Sequence, residues 1–330
     1  MAQTLFLKRI ALLLAITFPT VGGLFALAWF TLVPVSKEAP YVFVSAWGGK
    51  GAGQGKFNDP TGIAVSGAEV FVADARNGRI QVFDLDGTFR RQFGKPGKGL
   101  GELGRPMNLT VAGGELYVAE YWNDRIQVFG LDGTPKRMIG GPGDGPGQFK
   151  APGGVGVTPR GDLYVADFYN QRIQMLKADG TFISQWGLTG KTGAGPKEFN
   201  YPTDVTVGPS GWVYVADGYN DRIQAFKPDG KLAWKMGGPL AMNIHGPFQG
   251  WFATVTGLGI DGKGNVFAAD FYNNRVQKFS QTGAFLTAFG EAGSGPGQMT
   301  YAMGVAVAAD GSVFVADFGN HRVTKWRPGP

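Results

Sequence analysis

An all-β, six-bladed β-propeller is the fold this 330-residue sequence predicts, and two observations predict it. The first is a segment, Leu163-Tyr-Val-Ala-Asp-Phe-Tyr-Asn-Gln-Arg-Ile-Gln174, whose close copies recur along most of the chain. The copies place an acidic residue at Asp74, Glu120, Asp167, Asp217, Asp270 and Asp317, each followed five residues later by Arg79, Arg125, Arg172, Arg222, Arg275 or Arg322. The second is the period: the acidic residues are 46, 47, 50, 53 and 47 residues apart. That repeat length, carrying short β-rich segments and glycine turns in place of helical stripes, is what a propeller blade looks like in sequence. The 55 glycines and 20 prolines fall in turns at this period, so they do not signal disorder.

The chain begins with a different signal. Residues Ile10 to Val33 form an uncharged apolar run of 24, preceded by Lys8 and Arg9 and followed by Lys37 and Glu38. That length spans a bilayer as one N-terminal transmembrane helix. Lys8 and Arg9 would keep residues 1–9 in the cytoplasm and place everything after Val33 outside it. A cleaved signal peptide is the competing reading, since Ala26-Leu27-Ala28 fits the small-residue cleavage pattern; the protein would then be secreted. Trp29 to Val33 continue the apolar run beyond that site and favour an uncleaved anchor. The expected organisation is therefore a cytoplasmic N-terminus (1–9), an anchor or signal sequence (10–33), a linker (34–40) and the propeller (41–330).

Composition narrows the chemistry. The sequence has no cysteine, so disulfides and thiolate catalysis are excluded, and an exported protein of this kind must be stabilised by its closed β architecture. The formal charge is +6, of which residues 1–40 supply +2. Many of the remaining positives are repeat arginines with acidic neighbours, which argues against a nucleic-acid surface.

Within each repeat the elements follow in order. In the copy around Asp167, Val155 to Val157 is the inner strand, Leu163 to Ala166 the second, Arg172 to Leu176 the third and Phe182 to Trp186 the outer, with Asp179-Gly180 as the third turn. Residues Phe168 to Gln171 make a hairpin loop, flanked by Asp167 and Arg172 as a cross-strand pair. Its asparagine recurs as Asn77, Asn123, Asn170, Asn220, Asn273 and Asn320, and asparagine suits a left-handed or Asx-turn position. These Asp, Asn and Arg residues are either a ring of ligand contacts or hairpin closure; sixfold repetition favours closure, since an asymmetric ligand has no use for six identical contacts. The sixth copy lacks an outer strand because the chain stops at Pro330. Phe43 to Gly48 matches Phe182 to Gly187 and is expected to supply it, closing the ring. The hairpin loops and the long glycine-rich connectors between blades then emerge on one face, the long-loop face.

The pattern Val-Tyr-Val-Ala-Asp-x-x-Asn-x-Arg-Ile-Gln, preceded by Phe-x-x-Pro-x-Gly-Val-x-Val and followed by Asp-Gly and Phe-Gly, resembles the NHL repeat family. The resemblance implies the six-bladed fold. It leaves function open, because that family includes RNA-binding propellers, amidating lyases and extracytoplasmic sensor or adhesion modules.

Departures from the repeat mark candidate sites. The inner-strand glycine (Gly62, Gly154, Gly257, Gly304) is replaced by Asn108 and Asp204, and Glu120 is the one motif glutamate. Asn108, Glu120 and Asp204 would form an oxygen-rich site for calcium at the axis, or a set of hydrated channel residues. The connector Gly238 to Phe252 is longer than its peers and carries His245 and Trp251. It is either a binding loop or a lid of packed Ile244, Phe248, Trp251 and Phe252. The hairpin loops contribute Tyr121, Trp122, Phe168, Tyr169, Tyr219, Phe271, Tyr272 and Phe318, which suit a protein, peptide or carbohydrate partner or else pack between blades. His245 and His321 are the only histidines, too few for the three-histidine zinc site an amidating lyase requires.

The reading that results is a monomeric, extracytoplasmic, membrane-anchored binding or scaffold module, more a non-enzyme than an enzyme. It needs no cofactor and uses its long-loop face. The alternative is a calcium-type hydrolase or lyase with its site at the channel mouth.

Overall fold

The computed structural model describes residues 33–241 and 243–330. The expected anchor lies outside the described residues except for Val33. Among the described residues no helix is long and apolar enough to cross a membrane.

Six four-stranded antiparallel sheets, blades I to VI in the order of Asp74, Glu120, Asp167, Asp217, Asp270 and Asp317, are arranged in a ring. Blade III shows how sequence sets them: Pro152–Val157, Leu163–Asp167, Arg172–Leu176 and Phe182–Trp186 pair in that order. The inner strand starts earlier than the expected Val155, at a proline, which is tolerated at a first strand position because its missing N–H leaves no ladder gap. Pro152 sits opposite Asp167, and Val255 and Ala302 occupy the same register opposite Asp270 and Asp317. The sixth blade is closed as expected: Val42–Gly48 pairs antiparallel with Arg322–Arg327, Gly48 opposite Arg322. Ring closure therefore joins the first strand to the last, and no sheet edge is left at the seam.

The core is divided among the blade interfaces. Each holds an apolar plug from the preceding connector, at Phe57, Leu103, Phe149, Phe199, Phe252 and Met299, all essentially fully buried. Phe149, for example, packs among Ala119, Ile126 and Val128 of one blade and Val155, Val165 and Leu176 of the next. Burying a side chain of that size contributes about 1.5–3 kcal/mol. The inner strands approach closely at the axis: a Cβ at Gly304 would lie 2.4 Å from the Thr61 carbonyl oxygen, and one at Gly257 2.4 Å from that of Met303. This proximity, and not a special backbone angle, is what requires glycine there.

Candidate functional site

The acidic and basic repeat residues form one closed network per blade. In blade III, Asp167 accepts hydrogen bonds from the Lys150 N–H (2.7 Å), Asn170 Nδ2 (2.9 Å), Arg172 Nε (2.8 Å) and Gln174 Nε2 (3.2 Å). Arg172 also donates to the carbonyls of Gly145 and Gln148, and Asn170 to that of Gly143. The same ion pair closes every blade, at 2.7 Å for Asp74–Arg79, 2.6 Å for Glu120–Arg125, 2.7 Å for Asp217–Arg222, 2.8 Å for Asp270–Arg275 and 2.7 Å for Asp317–Arg322. These residues are structural: each network staples the incoming connector onto its blade.

The asparagine has a different job from the one expected. The left-handed residue is the next one, Gly78, Asp124, Gln171, Asp221, Asn274 or His321, while the asparagine side chain bonds the connector. That next residue reaches to the following blade. Asp124, Gln171, Asp221 and Asn274 accept the N–H of Ala151, Tyr201, Thr254 and Tyr301 at 2.6–2.8 Å. His321 Nδ1 accepts the Asp59 N–H at 3.2 Å and so latches the last blade to the first. Gly78 has no side chain to do this, and the interface of blades I and II lacks the latch.

On the long-loop face the ring of loops encloses a cavity of about 320 Å³ at the axis. Its wall contains Tyr121, Phe168, Tyr219, Phe271, Tyr272 and Phe318, and its floor contains Thr61, Met107, Gly153, Thr203, Thr256 and Met303. The wall is a linked aromatic set. Tyr121 Oη bonds Tyr169 Oη at 2.8 Å, Phe168 lies 5.0 Å from Tyr201, and Phe271 stacks on Tyr301 at 4.8 Å. Burial and the Tyr169 bond push the Tyr121 hydroxyl pKa upward, so it stays protonated. Trp122, Tyr219 and Tyr272 are 60%, 53% and 61% exposed at the rim. A second cavity, about 560 Å³, opens at the opposite end among the turns of Gly113, Arg160 and Gly208, with Tyr117 as its one aromatic.

Beneath the floor, Asn108 and Asp204 are brought together. Asp204 Oδ1 accepts the Val205 N–H and Oδ2 the Leu258 N–H, both at 2.8 Å, and the Asn108 side chain lies near enough to favour the carboxylate. Asp204 lies over Gly154, where a Cβ would be 2.0 Å from its Oδ1. Asn108 and Asp204 thus place side chains at the axis where the other inner strands carry glycine. Glu120 is not part of this group; its carboxylate is taken by Arg125, Gln127, Asn123 and the Gly104 N–H. The donor set does not fit calcium: it offers one carboxylate, already turned to backbone N–H groups, where calcium takes six to eight oxygens. No cluster of three His, Asp or Glu suited to a metal occurs among the described residues.

Burial pushes the Asp204 pKa up to about 7, against the backbone N–H groups of Leu258 and Val205 and the nearby Asn108 amide. An acid whose folded pKa exceeds its unfolded value of about 3.9 binds extra protons when folded. Its stabilising contribution is present at low pH and lost as pH rises from about 4 to about 7. Denaturant titrations of wild type and Asp204→Asn should therefore give a stability difference that falls across that window and then levels off. A difference independent of pH would contradict the assignment.

The connector residues fall elsewhere. Phe252 is the blade plug, Trp251 stacks edge-on to Phe248 at 5.0 Å, and Trp251 O accepts from Arg275 and Gln277. His245 is 78% exposed and 4.0 Å from Asp221. None of the described residues from Gly238 to Phe252 lines the mouth cavity. Sequence reading missed Tyr201, Tyr301 and Arg105, which share the position just before the inner strand; aligning the six copies there would have exposed them as aromatic and basic departures.

Fold and site together define a six-bladed β-propeller with an aromatic mouth at one end of its axis. Four of its blades are NHL repeats: the NHL repeat family model matches residues 57–83, 149–175, 199–226 and 300–326. The two blades without a match carry the departures at Asn108 and Glu120 and at the long connector. Local similarity extends to Protein brain tumor of Drosophila melanogaster, 39% identical over 59 residues, 18% of this chain and 6% of that protein. RING finger protein nhl-1 of Caenorhabditis elegans is 51% identical over 51 residues, 15% of this chain and 5% of that protein. The match thus spans a small fraction of these relatives' length.

Among solved structures, a Bacteroides thetaiotaomicron protein of unknown function superposes with TM-score 0.67 and 17% identity, covering 88% of this chain and 76% of that one. A streptogramin B lyase structure gives TM-score 0.56 at 17% identity, covering 83% and 94%. At these identities the likeness is one of fold.

Proposed function

We propose that the protein is a binding or scaffold propeller, anchored in the membrane through residues 10–33 and displayed outside the cytoplasm, whose long-loop face takes a protein, peptide or carbohydrate partner. The observation that carries this is the exposed aromatic rim, Trp122, Tyr169, Tyr219 and Tyr272, around a concave mouth. Tyrosine and tryptophan present large, rigid contact area with a polar tip, and they are enriched where proteins recognise partners. The repeat residues that might otherwise be read as catalytic are occupied in connector stapling.

Partner capture by the full chain tests the reading. Tyr219→Ala/Tyr272→Ala should abolish capture, and Arg160→Ala at the opposite cavity should leave it intact; the reverse pattern would overturn the assignment of the face. For the anchor, carbonate extraction should leave the full chain in the membrane fraction, and deletion of residues 1–33 should release it. Release of the intact full chain by carbonate would remove the anchor from the account.

A further inference from the structure

Among the described residues lining the mouth cavity, Arg105 is the one charged side chain. Every arginine of the repeat motif is paired, yet Arg105 forms no ion pair among the described residues, and its buried Nε has no hydrogen-bond partner. It is held instead between two rings, its guanidinium carbon 5.5 Å from the Tyr121 ring centre and 5.4 Å from that of Trp122. Cation–π contact offsets only part of the lost hydration. A guanidinium left this way presents its planar fork of donors to an incoming carboxylate.

The rest of the cavity limits what can accompany that carboxylate. Thr61 donates to the Pro106 carbonyl at 2.9 Å, Thr203 to Val255 at 2.7 Å and Thr256 to Met303 at 2.9 Å. Their hydroxyls therefore offer lone pairs, which repel a second anion. Asn108 lies beside Asp204, and its Oδ1 accepts the Leu109 N–H at 3.1 Å. Apart from Thr254 and Gly153 the remaining wall is aromatic and thioether surface, and about 320 Å³ lies at the small end of ligand pockets, near 300 Å³.

We infer that the mouth cavity binds a single amphipathic monocarboxylate, its apolar or aromatic body against Phe168, Tyr219 and Phe271 and its carboxylate on Arg105. This deepens the reading of the mouth as the binding face and rests on it. The test is calorimetric titration of the detergent-solubilised full chain with N-acetylphenylalanine and with its neutral amide. The carboxylate should bind about tenfold or more tightly than the amide. Arg105→Gln should erase that difference, and Arg105→Lys should restore part of it.

Equal affinity of the two probes for wild type overturns the carboxylate assignment without needing any variant to fold, and it leaves the face reading standing. Binding of neither probe overturns the cavity as a small-ligand site. The Tyr219 and Tyr272 capture experiment judges the face separately.

Discussion

Replacing Arg222 with alanine is expected to destabilise the propeller by about 3–5 kcal/mol, the effect of breaking a buried ion pair and stranding its partner. Arg222 and Asp217 are both fully buried, 2.7 Å apart. Arg222 also donates to the carbonyls of Gly195, Glu198 and Ala241. The substitution thus orphans one carboxylate and frees a connector at once. Denaturant unfolding of the full chain should show the loss. Arg76→Ala provides the contrast, since that arginine is mostly exposed and paired only with Asp59, and its loss should stay within about 1 kcal/mol. Comparable effects for the two arginines would mean that the staples do not hold the blades.

The second large effect belongs to the mouth. Truncating Tyr219 and Tyr272 together should weaken partner binding by at least about 2–4 kcal/mol, roughly thirty- to a thousandfold in affinity. Both line the cavity and both are exposed at its rim, on different blades, so neither truncation removes core packing. Thermal unfolding of the double variant should accordingly match wild type. A loss of binding with unchanged stability separates recognition from folding, whereas an unchanged affinity would take the rim out of the binding surface.

Much of the fold was legible because each blade repeats the same solution. Asp167 and Arg172 flank a loop of fixed length, and the pairing of Phe43 to Gly48 with the last blade followed from a missing outer strand. The asparagine's role was not legible: its side chain acts across 27 residues on Gly143, a contact no local pattern encodes. The site was legible where hairpin loops carry aromatics, as at Tyr121, Phe168, Tyr219 and Phe271. Tyr201, Tyr301 and Arg105 escaped because they occupy a left-handed backbone position that non-glycine residues seldom adopt, which hides them from strand and turn patterns alike. Glu120 misled for the opposite reason: a residue unusual in type sits in an ordinary structural slot, and only three-dimensional placement separates it from Asn108 and Asp204.

The measurement closest to the central claim is site-specific photo-crosslinking of the full chain, with the photoreactive residue placed at Tyr272 on the rim or at Arg160 on the opposite end. A discrete partner adduct is expected from position 272 and none from position 160. An adduct from position 160 alone would contradict it.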